Sequence, residues 1–345
     1  MAFYDSLFDW PVLIEWCHTD TKGAPMTMSE LLAISKGTDQ VEASLWDIPF
    51  PSLDNLHASC NAIPRTRDMT SGVEQFFLDI KGGLQFILDP LTQPLSWALD
   101  GSLWLFITTP WWLLITITLL AVQFATRSSP TTLLVGIMWF FLLFIDHYTY
   151  AVQTMAIIFV CTGLSILLGV PIGVAMSKSD RLQRGMIPVL DMLQTLPSFV
   201  YLIPLIFLFS ITESKLYGIA IILYAIVPVI RLTDLGIRLV DQDIIEATDA
   251  FGMTARQKLF GVEIPLALPN IMAGVNQTIM MSLAMVVIAS LVSAPGLGVL
   301  VLRGINNLEL GVGLVSGLCI VILAILLDRV SKATLARVNV ASHNS

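Results

Sequence analysis

Seven stretches of the chain contain no charged side chain: residues 101–126, 128–145, 147–177, 192–212, 216–230, 264–302 and 310–327. Inside them apolar residues follow one another without the strict alternation of a strand. A helix needs roughly 20 mostly apolar residues to cross a bilayer, where each backbone group must be bonded within its own segment. Most of the runs reach that length, and 216–230 is the shortest. The pattern predicts an all-α integral membrane protein with about seven transmembrane helices. Trp104, Trp111 and Trp112 place the start of the first helix at a membrane interface, where amphipathic rings settle. Pro110, Pro171, Pro197 and Pro204 fall inside the runs and predict broken helices.

A different period appears before the first run. Over residues 72–89, Phe76, Phe77, Ile80, Leu84, Ile87 and Leu88 recur at helical spacing opposite Glu74, Asp79 and Lys81. That pattern fits a helix lying flat on the membrane, or one packed on the tail that precedes it. Residues 1–71 hold scattered aromatics and five prolines and show no period. The expected organisation is a partly disordered extracytoplasmic tail (1–71), an amphipathic interfacial helix region (72–100), a transmembrane domain (101–330) and a cytoplasmic C-terminal tail (331–345).

Composition agrees with this division. Charged residues make up 13% of the chain, where a soluble domain carries roughly a quarter. Residues 1–100 are net −9 and residues 101–345 net +1, so the overall −8 belongs to the tail and indicates no nucleic-acid partner. Lys and Arg divide unevenly between the two sets of helix ends. One set carries Arg127, Lys178, Arg181, Arg184, Arg231, Arg238, Arg256, Lys258, Arg329, Lys332 and Arg337; the other carries Lys215 and Arg303. Cytoplasmic loops hold the excess of positive charge. The N-terminus is therefore expected outside and the C-terminus in the cytoplasm. Residues 1–10 lack the basic-then-apolar sequence of a cleavable signal, so the first span is expected to direct insertion.

Few polar groups enter the spans. Asp146 and His147 fall in an external loop, and Asp191 is within reach of the Arg181–Arg184 loop as an interfacial ion-pair partner. Asn276, Gln277 and Thr278 lie deeper. They either bond neighbouring helices together or line a polar pathway. The spans carry no array of Asp, Glu and His for a proton relay. Cys161 and Cys319 lie in spans as packing residues. Cys17 and Cys60 lie in the tail, where an external compartment permits a disulfide, although two cysteines do not by themselves fix a pairing.

The polar insert at 241–265 interrupts the apolar pattern. Asp241 or Asp243 can cap a short helix through Glu246, Ala247 and Ala250 that stops at Gly252, a residue suited to a left-handed cap. Thr254 can cap a second helix, with Gln257 completing a T-x-x-Q box. Pro265 is expected to end that helix and lead into the next span. A turn between helices with Ala247, Ala250 and Gly252 at its elbow lets another protein approach the backbone closely. A DNA-binding helix–turn–helix has similar local grammar, but tethering between two spans of a weakly charged chain counts against it.

Glu246-Ala247, Gly252 five residues on, and Val262-x-Ile264-Pro265 resemble the E-A-A-x-x-x-G-x9-I-x-L-P loop of ABC-importer permeases. Thr248, Val262 and Ile264 are modest departures. The stretches VLDMLQTLPSFVYLIPLIFLF (189–209), PLALPNIMAGVNQTIMMSLAMVVIASLV (265–292), PGLGVLVLRGI (295–305) and VILAILLDR (321–329) are similar to the permeases of glycine betaine/proline uptake systems. The likeness spans roughly residues 72–330. It implies a MetI-like permease fold in the bacterial inner membrane, with a cytoplasmic coupling loop that carries Glu246, Ala247, Gly252, Arg256 and Pro265. It also implies the partners: a second copy of the chain, two ABC ATPase subunits holding ATP and Mg, and a periplasmic substrate-binding protein. No G-x-x-x-x-G-K-[ST] loop occurs here, in keeping with hydrolysis in a partner and no enzymatic role for the chain. The residues do not choose among glycine betaine, choline, carnitine and proline. The competing function is an ion-gradient-driven carrier or channel for a small solute.

Overall fold

In a computed structural model of the chain the described residues are Cys17, 50–60 and 62–343. Most of the 1–71 tail, with its expected partial disorder, lies outside them. No strand occurs among the described residues. The chain divides into two units, Met1–Gly83 and Leu84–Ser345.

In the first unit, α1 (Leu53–Ser59) begins at Ser52, whose side chain accepts from the Asn55 N–H. Asp54 accepts from the Thr66 N–H at 2.9 Å, at the start of α2 (Thr66–Thr108). Cys17 and Cys60 form a disulfide with their Cα atoms 4.7 Å apart. Helix α2 passes through the whole expected interfacial segment 72–100 and continues to Thr108 across the division between units. Residue 100 is therefore not an element boundary. Phe76, Phe86 and Ile87 on this helix are exposed.

The second unit continues through α3 (Trp111–Thr126), α4 (Ser129–Phe144), α5 (Tyr148–Ser177) and α6 (Asp180–Thr195). A 3-10 turn (Ser198–Tyr201), α7 (Leu202–Leu208) and α8 (Ser214–Arg238) follow. Then come α9 (Gln242–Ala250), α10 (Ala255–Lys258), a π-helical turn (Leu259–Glu263), α11 (Ile264–Ala289), a second 3-10 turn (Ser290–Val292), α12 (Leu297–Asn306) and α13 (Leu310–His343). The last helix runs through the expected boundary at 330, so the C-terminal segment begins as a continuation of a span.

Among the described residues four helices are long and apolar enough to cross a membrane: α5, α8, the Ala255–Val292 run and α13 as far as Thr334. Two bent pairs raise the number to six if each is one span: α2 with α3 at 110°, and α6 with the Ser198–Leu208 segment at 105°. The count is four to six where the apolar runs predict about seven. The difference lies in α4, whose 16 residues rise only about 24 Å against a hydrocarbon core of about 30 Å. The proline expectations also divide. Pro110 and Pro197 stand at the two bends. Pro204 instead lies in the first turn of α7, where its missing N–H leaves no bond unmade, and α5 runs through Pro171 without interruption.

Helix α8 is the most buried span and packs between α5 and α11. Lipid tails are as apolar as leucine, so helices associate in a bilayer through close van der Waals contact. Small residues make that contact possible here. A Cβ added at Gly173 of α5 would lie 2.6 Å from the Ile230 carbonyl oxygen of α8, and one at Gly169 2.4 Å from Val229 Cγ1. Gly274 of α11 approaches the Val229 backbone in the same way. Met176, Leu190, Ile226, Val229 and Ile230 fill the space around these approaches. On α13, Gly313 meets the Gly304 backbone, whereas a side chain at Gly317 would enter open space.

Candidate functional site

The polar insert folds as two helices joined by a turn, and each half is capped by its own residues. Asp241 is the N-cap of α9, accepting from the Asp243 N–H at 3.0 Å. Past Ala250, Gly252 adopts φ +74°. Its N–H donates to Asp249 O at 3.0 Å, and the Met253 N–H reaches back to Thr248 O at 3.1 Å. This pair of bonds is the Schellman arrangement, which satisfies carbonyls that a helix end leaves free. Thr254 and Gln257 then form the reciprocal capping box of α10. Across the elbow, Lys258 Nζ meets Asp249 Oδ1 at 2.6 Å.

Beyond α10 the structure corrects one expectation. Pro265 does not end the second helix. The backbone widens into the π turn Leu259–Glu263 and enters α11 directly, with Pro265 in its first turn. The Ile264 N–H bonds five residues back to Leu259 O, a register shift that accommodates the N–H missing from the proline. The second arm is therefore rigidly continuous with a span, while the first is joined to α8 by a short turn at 239–241.

A charged pair ties the insert to the bundle, and further polar contacts join the helix ends beside it. Glu263, buried in the π turn, pairs with Lys178 at the end of α5. Arg238, at the end of α8, reaches Asp180 Oδ1 at 2.9 Å, Asp234 Oδ1 at 3.0 Å and the Met176 carbonyl at 2.9 Å. Gln183 donates to the second Asp234 oxygen at 2.7 Å. A carboxylate as buried as Glu263 is tolerated because a cation meets it. Asp191 pairs with Arg231 of α8, not with Arg181 or Arg184. Apart from Arg238 and Asp234, which are four residues apart on α8, these partners lie 40 to 85 residues apart, so spacing along the chain gives no signal for them.

Glu246, Ala247, Ala250, Gly252, Arg256 and Pro265 are all exposed. Sequence reasoning passed over Phe251 and Phe260, which are 87% and 69% exposed. The signal available was that they are the two aromatics of the insert, residues 241–265. Both side chains stand on a turn held by its own bonds.

The structure does not bring Asn276, Gln277 and Thr278 onto one face. Asn276 Oδ1 accepts from the Ser331 hydroxyl of α13, Gln277 is exposed, and Thr278 is fully buried. Among the described residues no cluster of His, Cys, Asp and Glu could hold a metal ion.

Comparison with known proteins bears on this arrangement. Residues 165–340, about half the chain and including the whole elbow, match the family described as binding-protein-dependent transport system inner membrane component. The chain belongs to this family. It is 40% identical over 262 residues to the glycine betaine transport system permease protein OpuAB of Bacillus subtilis (strain 168), covering 74% of this chain and 86% of that protein. It is 47% identical over 190 residues to the glycine betaine/proline betaine transport system permease protein ProW of Escherichia coli (strain K12), covering 55% of this chain and 53% of that one. The chain thus spans about half the length of ProW and most of OpuAB. The methionine ABC transporter MetNI in an inward-facing conformation shares the fold. Its TM-score is 0.50 at 20% identity, over 56% of this chain and 95% of that one. As a member of the binding-protein-dependent family, the chain is a multi-pass, all-helical membrane permease.

Proposed function

We propose that this permease forms the membrane pathway of an ATP-driven importer for glycine betaine or a related methylated amine. Two copies pair in the inner membrane, with the C-terminus and the elbow in the cytoplasm. Each elbow docks on one ABC ATPase subunit, where ATP and Mg are bound, and a periplasmic binding protein delivers the solute from outside. The observation that carries this reading is the elbow: a self-capped, exposed turn whose second arm is continuous with α11 and tied to the end of α5 through the Glu263–Lys178 pair. A push on such an element moves the spans and does not unwind the loop. The substrate class rests on the relatives, whose names specify glycine betaine and proline betaine. Quaternary amines are held by aromatic faces through cation–π attraction, and we assign that cage to the binding protein. Of Asn276, Gln277 and Thr278, Gln277 is the one we place toward the pathway. An exposed amide in a span is costly against lipid and tolerated against water or a second copy.

Ala247→Trp tests the docking. It adds bulk to an exposed face of α9 without touching a cap or a buried group. In vesicles containing the permease, its ATPase and its binding protein, ATP-driven uptake of glycine betaine should fall at least about tenfold, the equivalent of 1.4 kcal/mol lost from a productive contact, at equal amounts of inserted permease. Normal uptake and normal ATPase stimulation would refute the docking. Accumulation driven by a proton or sodium gradient without ATP would instead establish a secondary carrier.

A further inference from the structure

Helices α3 and α4 form a hairpin that precedes the segment matched by the family, 165–340. Between them lies an open groove of about 740 Å³ lined by Leu119, Leu133, Gly136, Ile137 and Phe140. At one end its lining turns polar, with Gln123 and Thr132, but these satisfy one another: the Thr132 hydroxyl donates to Gln123 Oε1 at 2.7 Å. One turn beyond, at the tip of the hairpin, stands Arg127. It is exposed, and its backbone N–H donates to Gln123 O at 2.9 Å.

Arg127 is the lone charged side chain between residues 101 and 145. Among the described residues no carboxylate pairs with it. The surface around the groove is apolar, with Leu120, Phe124, Leu133, Ile137 and Phe140 exposed. An uncompensated guanidinium at the mouth of an apolar groove is complementary to a molecule with an anionic head and a hydrocarbon tail. We infer that the α3–α4 groove holds an acyl chain of an anionic phospholipid, with the lipid phosphate at Arg127. A guanidinium matches phosphate oxygens in a bidentate fork, and basic side chains draw anionic lipid to the membrane surface. A second copy of the chain fits less well. Seated hairpin on hairpin, it offers no carboxylate to Arg127, because α3 and α4 contain none.

The test uses the full-length protein in nanodiscs containing phosphatidylglycerol or phosphatidylcholine with identical chains, each doped with a lipid carrying a diazirine in its acyl chain. Cross-links should concentrate in residues 119–140. After transfer to detergent, native mass spectrometry should show about fivefold more retained phosphatidylglycerol than phosphatidylcholine, the size of one basic residue's attraction to an anionic surface. Arg127→Gln should abolish the headgroup preference while acyl cross-linking persists. Gly136→Leu, whose side chain would grow into the groove beside Leu119 (3.7 Å from an added Cβ), should reduce cross-linking of both lipids. Equal retention of the two lipids by the unmodified protein, cross-links spread evenly over the apolar helices, or Phe140→Cys forming disulfides between two copies in native membranes would each overturn the assignment.

Discussion

Two turns in this molecule use the same device, a glycine at positive φ between two helices, to opposite ends. At the elbow, Gly252 has φ +74° and a Cβ added there would meet nothing within 4 Å. The backbone bonds and caps that shape that turn join residues no more than five apart in sequence, and the Lys258–Asp249 pair across it joins residues nine apart. Between α11 and α12, Gly296 has φ +125°, and an added Cβ would sit 2.4 Å from Thr154 Oγ1 of α5. The next N–H, that of Leu297, donates to the same hydroxyl at 2.9 Å across 143 residues of sequence. Gly298, one step further, faces Ser290 Oγ at 2.2 Å and Val287 Cα at 2.9 Å from where its Cβ would be. The elbow keeps its shape without help from the bundle, which suits a surface that meets another protein. The α11–α12 turn has its shape imposed by the bundle and holds α12 in place.

The sharpest way to break this contrast is to load both turns with side chains. Gly298→Leu should destabilise the protein by about 3 kcal/mol or more, because two of the obstructing atoms are backbone and overpacking is not relieved by a rotamer change. Thermal unfolding in detergent measures it. If Gly298→Leu unfolds no more readily than Gly252→Ala, the two turns do not differ as described.

Thr154→Val comes next in size. It preserves shape and removes the acceptor for the buried Leu297 N–H, leaving a donor unsatisfied at a cost of about 1–3 kcal/mol. Thr154→Ser, which keeps the hydroxyl, should recover most of that loss in the same measurement. Equal behaviour of the two variants would show that the α5 hydroxyl does not hold the turn.

The same distinction explains what could be read in the chain before its structure. The elbow was legible to the level of individual caps, Gly252, Thr254 and Gln257, with the first cap narrowed to Asp241 or Asp243, because capping chemistry acts between neighbours in sequence. The apolar runs located the spans for a similar reason, since the length of a run is a local property. Whether a run becomes one helix was not local. Pro110 and Pro197 mark bends exceeding 100°, while Pro171 and Pro265 sit in continuous helical paths. The outcome depends on where the freed backbone groups find partners. The partner of Asp191 proved to be Arg231, on a helix packed beside it, and not the arginines nearer in sequence. Thr154 and Lys178 gave no signal at all, since each holds a residue tens of positions away.

The smallest expected effect returns to Gly252. Because its Cβ would contact nothing, the cost of a substitution lies in the backbone alone. Gly252→Ala should lose about 1 kcal/mol, the left-handed penalty for an L-residue. Gly252→Asn should lose less, since asparagine tolerates that region. Both variants should still import solute with ATP in proportion to the folded protein present, whereas Gly252→Trp adds the same backbone cost and also bulk at the docking surface. The comparison that matters is therefore Trp against Ala at matched folded amounts. A deficit confined to Trp places a partner against the elbow, and a deficit shared by Ala, Asn and Trp in step with their stabilities reduces Gly252 to a helix cap.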